Sequence, residues 1–248
     1  GFITCVAIAC AKLGASPAGM ITADVSTGGG SAAASGTAAR FNNAETLRFE
    51  GKVVPAASAR VLGSFWLKLE TYAPNDPVYG MPIIGNADSG IFAGVGSDGL
   101  SSPAHRKRLK FRVASTVDNL VTATTIPLAQ WTHVAFAFDI PSQVFQVAID
   151  GNIETHIATT ASLPGPTGTM NFASSGTSVR IGGGYVPSST ENLLRGCLAE
   201  IYLAPDQWLD ISDPVNMRAF RTLSGYPADL GNTGAAPTGT SPAIYLKG

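Results

Sequence analysis

The stretch from Trp131 to Gly151, WTHVAFAFDIPSQVFQVAIDG, constrains the fold more than any other part of the chain. Val134, Phe136 and Phe138 alternate with His133, Ala135 and Ala137, which is the period of a pleated strand with one face buried. Ile140-Pro141-Ser142 interrupts the run, and Phe145, Val147 and Ile149 resume it with Gln146 and Ala148 on the opposite face. Asp150-Gly151 follows as a tight-turn signal, so the whole stretch predicts antiparallel strands.

The same alternation recurs along the chain. It predicts strands over Thr46 to Phe49, Val61 to Leu69, Ile91 to Val95, Leu109 to Val113, Leu120 to Ile126, Ile153 to Ala158, Val179 to Gly182 and Gly196 to Leu203. On the second of these Phe65, Leu67 and Leu69 point inward, with Trp66 and Lys68 outward. Between Thr71 and Asn86, Pro74, Pro77, Gly80 and Pro82 predict an irregular rim loop. One helix is expected, from Ile211 to Gly225: Ser212 or Asp213 caps it, Pro214 suits its first position, and Met217 and Phe220 face the sheets. Ala243 to Leu246 predicts a closing strand. The fold class is therefore all-β, an antiparallel sandwich with one short carboxyl-terminal helix.

Composition narrows the function. Only 13% of the 248 residues are charged while 45% are hydrophobic, and 28 Gly and 16 Pro make the chain turn-rich and able to bury a core. A formal net charge of -1 supplies no global field for nucleic acid or an acidic membrane. The three cysteines, Cys5, Cys10 and Cys197, have no zinc or redox spacing and are expected as buried thiols. Phe2 to Ala11 is shorter than the roughly 20 apolar residues that span a bilayer. Its charge, Lys12, follows rather than precedes it, so a buried first strand is expected instead of a secretory leader. Residues 1–39 read as that strand plus a Gly/Ala/Ser-rich arm, 40–208 as the sandwich, and 209–248 as the helix and closing strand packed on it. The arm either reaches a neighbouring subunit or is an ordinary loop with an edge strand.

Taken in order, SFWLKL, WTHVAFAFD, FQVAIDGN, VRIGGGY and LRGCLAEIYLAP resemble the laminin-G or concanavalin-A-like jelly roll. The elements are Trp131-Thr132-His133-Val134, Asp150-Gly151, Ile181-Gly182-Gly183 and Gly196 to Ile201, and the resemblance covers roughly Thr46 to Leu203. A narrower resemblance lies in the tail. Gly225, Pro227, Asp229, Leu230 and Gly231, then Pro237, Thr238, Gly239, Pro242, Tyr245 and Leu246, are similar to the carboxyl-terminal extension of laminin-G-like proteins of tailed bacteriophages and prophages. That resemblance implies a virion protein on the capsid or tail surface, assembled in the bacterial host cytoplasm. Its partners would be other virion proteins, further copies of itself and a host surface glycan. The alternative is a bacterial carbohydrate-binding module.

Hydrolysis is disfavoured. A laminarinase-like enzyme of this fold carries an E-x-D-x-x-E strand, whose alternation sets nucleophile, assisting Asp and general acid along one glycosidic bond. Here only Glu200 is present; Tyr202 stands in the Asp position and Pro205 at or beside the second Glu. The family resemblance also implies calcium at the rim, for which Asp76, Asp88 and Asp98 are candidates against the competing reading of solvated loop carboxylates. Trp66, Tyr72, Tyr79 and Tyr185, like Trp208, would stack on sugar rings if exposed, although core packing is the default for each. Arg106, Lys107, Arg108 and Lys110, with Arg112 and His105, form a cationic cluster for an anionic partner, or else a solvated strand edge. His133 is expected to be packed and hydrogen-bonded.

Overall fold

In the computed structural model, the residues described are 55, 57–72, 81–85, 91–96, 106–115, 119–157, 162–172, 179–182 and 194–247, together with the strand backbones at 4–7, 37–42 and 47–49. The first strands are β1 (Thr4–Ala7), β2 (Thr37–Asn42), β3 (Leu47–Phe49), β4 (Ala57–Ser58), β5 (Arg60–Leu69) and β6 (Met81–Gly85). There follow β7 (Ile91–Val95), β8 (Arg108–Val113), β9 (Leu120–Thr125), β10 (Trp131–Asp139), β11 (Val144–Ile149) and β12 (Asn152–Ile153). The chain ends with β13 (His156–Ile157), β14 (Met170–Asn171), β15 (Val179–Ile181), β16 (Arg195–Pro205), the helix α1 (Pro214–Met217) and β17 (Ile244–Leu246).

Two sheets face each other. One runs β1-β2-β16-β5-β10-β11-β12 with β17 on β16; the other runs β13-β9-β8-β7-β6-β15-β3, and β14-β4 forms a separate pair. All described strand pairs are antiparallel except β1 with β2. The register sets Val134 opposite Ile149, Phe136 opposite Val147 and Phe138 opposite Phe145, so the alternation lines one inward face. These residues meet Leu109, Phe111, Val113, Ile83 and Ile181 of the other sheet in the main core. Phe111 contacts Phe136 and Phe138 with centroids at 5.3 and 5.5 Å, the tilted and edge-on arrangements that aromatic quadrupoles favour.

The other face of the larger sheet is buried too. Leu62, Ala135, Ala137, Ala148, Tyr202 and Ala204 are covered by Ile211, Met217, Phe220, Leu230 and Tyr245 of the carboxyl-terminal segment. The small side chains of Ala135 and Ala137, which alternation alone assigns to the far side of a strand with one buried face, are the floor of this second core.

Three expectations change. The stretch 71–86 is not wholly irregular: it contains β6, and Pro82, which donates no ladder hydrogen bond, sits at a register shift between Pro82 and Ile84. The helix is shorter than expected. Asp213 caps it, accepting from the Val215 amide, and Pro214 stands at its start, but the regular turn ends at Met217. Beyond it Phe220 donates to the Met217 carbonyl, and Arg221 pairs with Pro227 as an isolated bridge. Met217 and Phe220 are buried on the sheet, as their positions predict. Ile153 to Ala158 is not one strand: Asn152–Ile153 pairs with β11 and His156–Ile157 with β9 of the opposite sheet.

Candidate functional site: a cleft beside the Asp150–Gly151 turn

The turn that ends β11 is tight because Asp150 and Gly151 both take positive φ, 51° and 82°, the backbone of a two-residue hairpin. Asp150 is locked there. Its Oδ1 accepts from the His133 amide at 3.0 Å, and its own amide donates to the His133 carbonyl at 2.8 Å. Against this turn lies the carboxyl-terminal segment, anchored by Gln146: its Nε2 donates to Asp210 Oδ1 at 2.7 Å, and its Oε1 accepts from the Ile211 amide at 3.0 Å. The hydroxyl of Ser212 and the amide of Gln146 hold the Asp210 carboxyl below the usual range.

Between turn and segment is a cleft of about 250 Å³, lined among others by Asp150, Gly151, Met217, Arg218, Arg221 and Leu223. Arg218 caps the carboxyl end of the helix and Arg221 follows three residues on, and both line the cleft. The guanidinium of Arg221 passes the Gly151 backbone so closely that a Cβ there would stand 3.6 Å from its Nη1. Leu223 is 79% exposed at the tip of a loop closed by the Thr222 amide on the Tyr226 carbonyl, 2.8 Å, and the Gly225 amide on the Thr222 carbonyl, 3.0 Å.

His133 lies beneath. It is fully buried, with Nε2 2.9 Å from Ser64 Oγ and its ring 5.0 Å from that of Trp66, the packed histidine expected from its position. Burial first, then the Arg221 charge, lowers its pKa to about 3, so the imidazole is neutral at ordinary pH. Four buried polar atoms among the described residues have no hydrogen-bond partner: Trp66 Nε1, Thr132 Oγ1, His133 Nδ1 and Arg221 Nε. Each such group costs on the order of 1–3 kcal/mol.

The residues expected to bind sugar do not converge here. Trp66, read as outward-facing, is 3% exposed, because the outer face it occupies is covered and it packs with Cys197, Ala199 and Trp131. Tyr72 is half-buried; its hydroxyl donates to the Ile126 carbonyl at 2.6 Å and Lys107 Nζ stands 5.1 Å over its ring. Tyr79, Tyr185 and the calcium candidates Asp76, Asp88 and Asp98 lie outside the described residues. Among the described residues no group of three His, Cys, Asp or Glu could hold a metal ion.

The cationic cluster divides. Arg106 is exposed, Arg108 donates to the Thr122 and Ala123 carbonyls at 3.1 and 2.5 Å, and Lys110 and Arg112 are 0% and 5% exposed. The solvated edge expected there is corrected, since β8 is an inner strand of its sheet. The expectation of three thiols is corrected as well: Cys197 is disulfide-bonded. Pairings made by the fold leave no trace in cysteine spacing.

The cleft itself escaped sequence reasoning, although Arg218 and Arg221 at a three-residue spacing behind a helix cap were its visible signal. Two aromatics of the carboxyl-terminal segment are exposed, Trp208 at 36% and Tyr226 at 51%. Among the described residues no helix is long and apolar enough to cross a membrane.

Residues 63–203, more than half of the chain, match the family described as the Concanavalin A-like lectin/glucanases superfamily, and the chain belongs to it. No curated protein sequence matches the chain. Among solved structures it is similar to a putative carbohydrate binding protein from Bacteroides ovatus at 15% identity and a TM-score of 0.52, covering 67% of this chain and 42% of that one. It is also similar to the heptameric SAP-like pentraxin from Limulus polyphemus, at 15% identity, a TM-score of 0.45 and coverage of 69% and 80%. A third is domain 4 of AbnA, a GH43 extracellular arabinanase from Geobacillus stearothermophilus, in complex with arabinotriose, at 18% identity, a TM-score of 0.45 and coverage of 71% and 75%. At these identities the likeness is one of fold. The chain spans less than half the length of the Bacteroides protein.

Proposed function

We propose that this chain is a carbohydrate-binding domain that does not cleave its ligand. Its superfamily contains both lectins and glucanases, and the observation that separates the two here is the state of β16. A glycosidase needs two carboxyl groups about 5–5.5 Å apart for retention, or roughly 6.5–9.5 Å for inversion. On β16 the lone carboxylate, Glu200, sits at a bulge with φ of 47° and accepts a hydrogen bond from the Tyr245 hydroxyl at 3.1 Å. Tyr202 fills the neighbouring position; its hydroxyl donates to Gln207 Oε1, and burial pushes its pKa up to about 12. These are the contacts of a strand clamped to the carboxyl-terminal segment.

A glycan array probed with the 248-residue chain, run beside an assay for released reducing ends, tests this reading. The expected result is binding to at least one glycan with no sugar released. Release of reducing ends, or binding to nothing, overturns it.

A second reading, display on a phage capsid or tail among other virion proteins, is supported by the carboxyl-terminal motifs. Their residues Gly225, Leu230, Gly231, Tyr245 and Leu246 belong to the segment that covers the larger sheet. Mass spectrometry of purified particles tests it, and absence of the chain from them overturns it.

A further inference from the structure

We propose that the cleft between the Asp150–Gly151 turn and the Arg218–Leu223 segment is an anion subsite, one that takes the carboxylate or sulfate group of an acidic sugar unit. The inference rests on the carbohydrate-binding reading and adds to it a location and a ligand class. Its first ground is charge. Two guanidinium groups and one carboxylate, Asp150, line the cleft, and among the described residues neither arginine side chain makes an ion pair or a hydrogen bond. Asp150, whose Oδ1 accepts from the His133 amide, offsets one of the two charges and leaves the lining with one positive charge in excess. His133 beneath is neutral and adds no further positive charge.

Two like charges held in one cleft repel each other unless an anion is shared between them. Guanidinium is the group whose planar fork matches carboxylate or sulfate oxygens in pairs. The buried Nε of Arg221, with no acceptor, fits a side chain whose bonding is incomplete in the unliganded chain.

The second ground is shape. About 250 Å³ lies below the roughly 300–1,000 Å³ of pockets that enclose a drug-sized molecule, so the cleft holds a single ring with its acidic group. Leu223, fixed at the tip of its closed loop, offers an apolar surface to the C–H face of such a ring, and Met217 forms an apolar lining. Sugar recognition combines these two elements, a flat apolar contact and a few convergent polar groups.

The test is isothermal titration of the 248-residue chain with galacturonate oligosaccharides, a sulfated polysaccharide, neutral galactose oligosaccharides and sodium sulfate. The same titrations are made on the R218Q R221Q double variant and on K247Q, at an exposed lysine outside the cleft lining, as a charge control, with thermal melts verifying folding. The expected result is binding of one or both acidic glycans, weakened at least tenfold in the double variant and unchanged in K247Q, with neutral glycans much weaker. The carboxylate and sulfate arms show which group is taken. Neutral glycans binding as well, unaffected by the double variant, overturn the subsite and leave the carbohydrate reading standing. Sodium sulfate binding as tightly as any glycan overturns the sugar ligand, and binding of nothing overturns both.

Discussion

The imidazole of His133 couples stability to pH with a definite sign. Its folded pKa of about 3 lies below the ordinary value of 6.5, so between these limits the unfolded chain takes up a proton that the native state refuses. Stability is therefore complete above pH 6.5 and falls as the pH drops toward 3, by up to tenfold in the folding equilibrium for each pH unit. The depressed carboxyls of Asp139, Asp210 and Asp229 act in the same direction, but their contribution is lost only as the pH falls below the ordinary carboxylate value of 3.8. Urea denaturation between pH 7 and 4.5 should show the slope, and His133→Gln, which keeps a partner for Ser64, should flatten it. A variant with an unchanged slope would assign the dependence to another group. Gly63 presents a steric case. It stands opposite Phe136 across β5 and β10, and a Cβ there would lie 2.0 Å from the Phe136 ring, which Phe111 and Phe138 hold in place. Gly63→Ala should cost about 3 kcal/mol, the upper end for overpacking, read as a fall in denaturation midpoint.

The carboxyl-terminal segment is tied to the sandwich by the β16–β17 ladder and by side-chain hydrogen bonds of Tyr202, Glu200 and Gln146, of which the two at Gln146 lie beside the cleft. Gln146→Ala removes both and leaves the Ile211 amide without its acceptor. At about 1 kcal/mol net for each bond, the loss should be about 2 kcal/mol, and limited proteolysis should cut first near residues 206–213. A variant cut elsewhere would show that the segment's attachment does not depend on the Gln146 bonds. This segment also marks the boundary of what periodicity reveals. Phe65, Phe111, Val134 and Ile181 announced their strands because one face of each strand is uniformly large and apolar. Asp213 and Pro214 announced the start of the helix because capping is local chemistry. The end of the helix was not legible, since it is set by Phe220 meeting Tyr202 edge-on at 5.3 Å and by the Arg221–Pro227 bridge, contacts between residues distant along the chain or across a loop. The cleft was hidden for the same reason, as Asp150 and Arg221 come to line one cleft only when the segment docks. Trp66 and Lys110 misled because alternation says which side of a strand a residue occupies, not whether that side is covered.

Taken together, these contacts make the protein a three-layered body: the smaller sheet, the larger sheet and the carboxyl-terminal segment, with a core on each side of the larger sheet. The second core is what allows strands as apolar as β10 and β16 to be buried on both faces, and it explains why Tyr202 and Tyr245 are among the largest fully buried side chains. The segment is consequently part of the fold, although residues 63–203 alone match the family. Removal of residues 207–248 should bare Leu62, Ala135, Ala137, Ala148 and Tyr202 in one contiguous apolar surface and also remove β17 from β16. An uncovered patch of this kind drives association. Cut back to residue 206, the chain should therefore bind a hydrophobic dye strongly and aggregate on size-exclusion chromatography, while the full chain does neither. A truncated chain that stayed monomeric with an unchanged melting temperature would show that the sandwich closes its outer face without the segment, and would demote the second core to an ornament of the first.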